Sequence, residues 1–362
     1  MSNQSPIPAV LRRYAALLAR PAIPFFILPM LGFLLVAGTI SQRYIGLYES
    51  QKIFFASLPA IALLGLLALS LTSKFLFFSP WTKKRAGINL SHLGILVLLI
   101  GGFLTALTAK EGSMVIPEQD STALVQDYHI RDLMITGSNG DTKTIPFTAL
   151  TPGKVITIGE NTTIEIIARC KSCQIERRDD TDESLRSMAK FMRLTPGKPK
   201  LQNEENITGI TLRLRSGQQD QDGTYILFDP MPKPVEITAG KDTLSLIIEK
   251  RRYTLPFSLY LGDFQANHHP GTMMAKAYHS DVIVKDGTVE WPVRIEMNAP
   301  LRYKGYTFFQ SSFFKPEGDK EYSVFAVVEN RAWLFPYIGT GLMAFGLLLH
   351  LVIMMAVRRK TA

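Results

Sequence analysis

Cysteine is nearly absent from this chain of 362 residues: two occur, Cys170 and Cys173. Two neighbouring cysteines exclude a scaffold held by a disulfide framework. Tryptophan is almost as sparse, at three scattered positions, Trp81, Trp291 and Trp333. Self-contained enzyme motifs are missing as well: there is no Walker-type glycine loop, no GxSxG elbow and no HExxH. No internal repeat is evident. The middle of the chain also lacks a basic stripe with interleaved aromatics, so the formal net charge of +9 does not point to nucleic acid. Many of the cations instead flank apolar runs, where positive charge marks the cytoplasmic side of a membrane.

Those apolar runs are what the sequence has in abundance. Hydrophobic residues make up 46%, and they concentrate towards the two ends. Four runs are long enough to cross a bilayer as helices: about 21–40, 53–71, 88–108 and a last one within 333–362 that ends before Arg358, Arg359 and Lys360. The first is longer than a signal-peptide core, and Ser41-Gln42-Arg43 is a poor cleavage context, so it reads as a retained span. Arg12, Arg13 and Arg20 precede it, and the loop Lys74–Arg85 holds four cations and no acid. Placing these segments and the C-terminal tail in the cytoplasm satisfies four spans without conflict. Segment 42–52 then becomes a short outer loop, and 109–332 a large extracytoplasmic domain, on the periplasmic side of a bacterial inner membrane.

That domain reads as β-rich and sandwich-like. Alternating or β-branched runs recur at 154–158, 162–168, 207–215, 224–228, 244–249, 257–264, 281–284, 307–310 and 322–328, separated by Gly, Pro, Asn and Asp. Residues 177–206 are charged and poor in β-branched types, which predicts a short helix and a mobile loop inserted between strands. The fold class expected is therefore an integral membrane α + β protein, with four transmembrane helices and one large β domain.

Few residues in this pattern can carry chemistry. An ionisable side chain inside a membrane span is costly and by default marks a functional site. His92 lies seven residues beyond Arg85, roughly 10 Å deep, and His350 eight residues before Arg358, roughly 12 Å deep. Neutral imidazole is a good ligand for haem iron. The plainer alternative is that each histidine bonds a neighbouring helix or reaches interfacial water. Gln174 follows the Cys170-Lys-Ser-Cys173 pair, which excludes covalent haem attachment, and no nearby residue completes a zinc site. The pair ends an apparent strand rather than opening a helix, which favours a structural or incidental pair over thiol exchange. His268, His269 and His279 fall close together, but neighbours in a strand face opposite sides, and solvated loop histidines explain them best. His129 stands alone. The aromatic residues of 298–313 read as core with an interfacial edge, and Arg302 and Lys304 fit either solvated charge or an anionic contact.

Two stretches go beyond a generic membrane-anchored β domain: FSLYLGDFQANHHPGTMMAKAYHSDVIV (257–284) and IEMNAPLRYKGYTFFQSSF (295–313). With GTISQ (38–42) and SHLG (91–94), they resemble the ResB family of system II cytochrome c biogenesis proteins, and three helices, an outer domain and a final helix are that family's layout. The resemblance implies a non-autonomous subunit of a haem lyase, or cytochrome c synthase, complex. Such a complex moves haem b across the membrane and presents it to apocytochrome CxxCH thiols. It also implies a polytopic partner of the CcsA/ResC type that carries the tryptophan-rich haem-handling segment. Within the resemblance, His92 matches a haem-ligand position, the opposing ligand is assigned to the partner, and His350 is either a local second ligand or a bystander. A membrane-tethered scaffold that never binds haem is the rival expectation, and a redox relay through Cys170 and Cys173 a third.

Overall fold

In the computed structural model, the described residues are 9–158, 162–180, 182–239, 242–268, 271, 275–316 and 320–361. The chain divides into two compact units: Met1–Lys110 with Tyr303–Tyr306 and Val328–Ala362, and Glu111–Arg302 with Thr307–Val327.

The first unit is helical. A short helix, α1 (Ala9–Leu18), which the apolar runs did not announce, precedes α2 (Ala22–Ser50), α3 (Leu58–Ser73), α4 (Ala86–Thr108) and α5 (Phe335–Thr361). The last four are long and apolar enough to cross a membrane, and their high hydropathy on all sides is what a lipid environment requires. Segment 42–52, expected as a loop, is helical instead. It continues α2 through Gly46, whose φ of 80° breaks the helix, and runs into a π-helical turn, Gln51–Phe55. In a straight helix Gly38 and Ser50 would lie roughly 18 Å apart. Here the Ser50 hydroxyl donates to the Gly38 carbonyl at 2.6 Å, so the chain folds back at Gly46. Only glycine takes this backbone conformation without strain.

α4 and α5 form the tightest pair. Along α4 the buried positions Gly87, Ser91, Gly94 and Gly101 are small residues spaced four, three and seven apart. A methyl on Gly94 would sit 2.6 Å from both the Gly339 carbonyl oxygen and the Met343 nitrogen, and one on Gly346 2.6 Å from the Ser91 hydroxyl. The two backbones therefore touch, as small residues permit in membrane helix pairs. The Ser91 hydroxyl lies 3.2 Å from both the Gly87 and the Met343 carbonyl oxygens, linking the helices by a polar contact.

The second unit holds two sheets. The strands are β1 (Lys110–Pro117), β2 (Asp120–Thr136), β3 (Thr142–Pro146), β4 (Val155–Ile158), β5 (Thr162–Arg177), β6 (Met192–Pro196), β7 (Ile207–Arg215) and β8 (Gly223–Asp229). They continue with β9 (Val235–Ala239), β10 (Asp242–His268), β11 (Ala275–Asp286), β12 (Val289–Glu296), β13 (Leu301–Tyr303), β14 (Tyr306–Phe314) and β15 (Tyr322–Glu329). The larger sheet runs β12-β11-β10-β2-β1-β15-β14-β13, with β3 on β2 and β9 on β10; the smaller runs β4-β5-β7-β8 with β6 on β5. One core joins them: Leu133, Ile135, Leu246 and Ile248 from the large sheet meet Ile164, Ile166, Leu212 and Leu214 from the small one. This is sandwich packing, and each fully buried Leu or Ile contributes about 1.5–3 kcal/mol. The described residues of 177–206 hold no α-helix. They form two short 3-10 turns around β6, which pairs with β5 and so belongs to the sheet.

Candidate functional site

The only titratable side chain along α4 is His92, half-buried on a different face of the helix from Gly87, Ser91 and Gly94. It lines a cavity of about 250 Å³ in the helical unit. The walls are Pro24 and Leu28 of α2, Leu67 and Leu71 of α3, and Ile95 of α4; Arg20, before α2, and Lys74, after α3, bring two cations to it. The lining is apolar apart from these groups and Ser70. Imidazole, hydrocarbon and paired cations together suit a flat apolar molecule that carries carboxylates.

His350 does not join this cavity. It lies on the face of α5 that meets α4, where a methyl on Gly87 would collide with its backbone nitrogen. Its Nδ1 is buried with no hydrogen-bond partner among the described residues. The two intramembrane histidines thus occupy different surroundings, one on open space and one against a neighbouring backbone.

Cys170 and Cys173 are joined as a disulfide. They lie inside β5 rather than at the end of a strand, at a register shift against β7 where the chain between them leaves the ladder. Cys173 is buried. His269 lies outside the described residues, and of His268 only the backbone is described, at the end of β10. His279 sits on β11 opposite Gln265, with its Nε2 buried and without a partner among the described residues. No group of three His, Cys, Asp or Glu side chains able to hold a metal exists among the described residues. His129 is bonded to Asn203 at 2.9 Å. In the aromatic segment Phe308 is fully buried against Phe257, with ring centroids 5.9 Å apart, whereas Phe309 and Phe314 are exposed. Lys304 takes a positive φ of 47° in the turn between β13 and β14, and its amine lies 5.6 Å from the Tyr303 ring.

Several features lay outside the sequence reading. Asn89, 1% exposed, accepts from the Ser79 hydroxyl at 2.6 Å and donates to the Pro80 carbonyl, tying the preceding turn to α4. Ser280, Gln310 and Ser323 form a buried hydroxyl–amide cluster in the large sheet, with contacts of 2.7–2.8 Å. The signal available for the helix pair was the seven-residue recurrence of glycine at 87, 94 and 101 and again at 339 and 346.

The fold therefore defines an integral membrane protein built from apolar helices and a two-sheet β unit. Residues 235–333, from β9 to the approach to α5, match the model of the ResB-like family. Protein NrfI of Wolinella succinogenes is 33% identical over 100 residues, which cover 27% of this chain and 11% of that protein. The matched family segment contains none of His92, His350, Cys170 and Cys173.

Haem, the group that the family resemblance brings to mind, meets a suitable donor set at the His92 cavity. An imidazole would be there for its iron, an apolar wall for its macrocycle, and Arg20 and Lys74 for its carboxylates. At about 250 Å³ the cavity is smaller than the roughly 300–1,000 Å³ of ordinary ligand pockets, so it would hold only an edge of such a molecule.

Proposed function

We propose that this chain acts in cytochrome c biogenesis, as a membrane subunit that holds haem in transit and presents it, with a polytopic partner, to apocytochrome thiols. The observation that carries this reading is the His92 imidazole opening on an apolar cavity that two cations also line. The ResB-like match supports the class of process.

In this reading haem is cargo, and its vinyl groups take the thiols. The chain's own residues position it. His92 supplies one axial nitrogen, Arg20 and Lys74 neutralise carboxylates, and Leu28, Leu67, Leu71 and Ile95 exclude water from the ring. The cavity encloses only an edge, so a partner protein completes the enclosure and brings the opposing ligand. The basic N-terminal segment, the Lys74–Arg85 segment and the basic C-terminal tail face the cytoplasm, and the β unit lies on the opposite side of the inner membrane. A scaffold that stabilises a partner without touching haem is the second reading. The confinement of the family match to the β-rich segment favours it.

Optical spectra of the protein in mild detergent, alone and with its partner, test the proposal. A low-spin haem band that is largely lost in His92→Ala, together with most c-type cytochrome formation in cells, is the expected result. The Cys170→Ser/Cys173→Ser double variant keeps both, because the disulfide it removes lies within one strand of the β unit. Spectra without a haem band in either protein transfer the role to the scaffold reading, and an equal haem band in both overturns the His92 assignment. Loss of cytochrome formation in the cysteine variant alone transfers it to a thiol relay.

A further inference from the structure

In the β unit, the β2–β10 ladder shifts register twice, between Lys250 and Arg252 and between Thr254 and Leu259; the first of these breaks is the one that matters here. On β2 the break corresponds to residues 127–130, where Asp127 turns the chain by accepting from the His129 and Ile130 amides at 2.7 and 2.8 Å. Two pairs flank the break, Arg252 opposite Gln126 and Lys250 opposite Arg131. The second pair sets two cations directly across an antiparallel ladder, an arrangement that costs stability unless something neutralises it.

The neighbouring carboxylates only partly do so. Arg131, 6% exposed, donates through Nε to Asp229 at 2.7 Å, while its two terminal nitrogens have no acceptor among the described residues. Asp132 is taken by Arg251, which donates to both its oxygens at 2.7 and 2.8 Å. Glu249 is taken by Arg252 at 2.8 Å. Lys250 has no ion-pair partner among the described residues. Arg131, Lys250, Arg252, Asp229 and Glu249 all line one cavity of about 310 Å³, whose apolar wall includes Met231 and Ile247. Three cations against two carboxylates leave one positive charge. The Arg131 residue is largely buried, yet its terminal nitrogens are not among the buried unpartnered atoms and so stay open to this space, where they can take an acceptor from outside the protein.

We infer that this cavity binds a small organic carboxylate of single negative charge with an apolar body. Arg131 takes the carboxylate oxygens through its terminal nitrogens, Lys250 adds its ammonium, and Met231 and Ile247 contact the body of the ligand. The residual charge of one matches a carboxylate rather than a phosphate dianion, and the volume falls at the lower end of small-molecule sites, roughly 300–1,000 Å³. This site lies in the β unit and does not rest on the haem reading.

The test uses the full-length protein in detergent micelles with 4-fluorobenzoate as probe, followed by fluorine NMR against empty micelles. Wild type is expected to give saturable line broadening and a rise in melting temperature with the probe. Lys250→Met, which removes no ion pair of the described structure, is expected to weaken probe binding at least tenfold and, without ligand at low salt, to melt at or above wild type. Broadening that does not saturate, or equal binding by Lys250→Met, overturns the proposal. Inorganic phosphate that displaces the probe at lower concentration than benzoate overturns the carboxylate assignment.

Discussion

In the helical unit the closest packing occurs where side chains are missing, at Gly87, Gly94, Gly339 and Gly346, whereas the β unit fills its interior with Leu, Ile and Phe. The two solutions follow from what each unit has to gain. Moving an apolar side chain from lipid to a helix interface gains little, so α4 and α5 are held by backbone proximity, dispersion and the Ser91 contacts. In the β unit, burial removes apolar surface from water, and large side chains contribute most. Polar groups differ in the same way. Ser50, Asn89 and Ser91 are buried in the helical unit and bond to carbonyl groups or short side chains nearby in the chain or on the adjacent helix. The β unit buries a charged pair, Arg131 with Asp229, and long-range side-chain clusters.

If this contrast is right, the two units fail under opposite substitutions. The largest effect is expected from shortening the β core: Leu212→Ala, at a fully buried position between the sheets, costs about 2–5 kcal/mol. Denaturant melts of the purified protein measure it. In α4 the damaging change is enlargement. Gly94→Leu puts a side chain into the Gly339 carbonyl and the Met343 backbone, which costs about 1–3 kcal/mol as overpacking and separates the helices. Gly102→Leu, eight residues further along, meets nothing within 4 Å and leaves thermal stability in detergent unchanged. Equal melting temperatures for the two glycine variants would remove the backbone-contact account of the α4–α5 pair.

The legible part of this architecture is the part with one physical cause. Apolar length alone placed the four long helices, and strict alternation with turn residues at both ends placed β7 at Ile207–Arg215. Reading failed where two causes overlap. Lys250, Arg251 and Arg252 interrupt the apolar pattern of β10, so one strand of 27 residues read as two shorter ones. Asp127 bends β2 in the middle, and its first half alternates poorly. The fold-back at Gly46 was hidden because a broken helix and a loop share Gly and polar residues; the Ser50–Gly38 bond that closes it spans twelve positions. At the candidate site, His92 was visible as the ionisable residue of its span. Its separation from His350 was not, because equal depth says nothing about which face of a helix each occupies. The unmet cations of the β unit depend on register, which a single sequence does not carry.

The mildest test lies on the surface of the β unit, where charge is solvated and the contrast with the helical unit is weakest. Arg294 on β12 donates to both oxygens of Asp281 on β11, at 2.7 and 2.9 Å. These hydrogen bonds are the main cause holding the Asp281 carboxyl below the usual carboxylate range, with the Arg294 charge adding and burial opposing. Both side chains are more than a third exposed, so the pair contributes little. A carboxyl whose folded value is depressed stabilises the protein above its unfolded value, about 3.9, and that contribution is lost as pH falls through the folded value. Asp281→Asn is therefore expected to melt slightly below wild type at pH 7, by less than either core variant. The gap should shrink as pH drops below about 4. A gap that is constant with pH would mean that Asp281 acts through packing or neutral hydrogen bonding and not through its charge. The surface of the β unit would then be held by the same contacts as its interior.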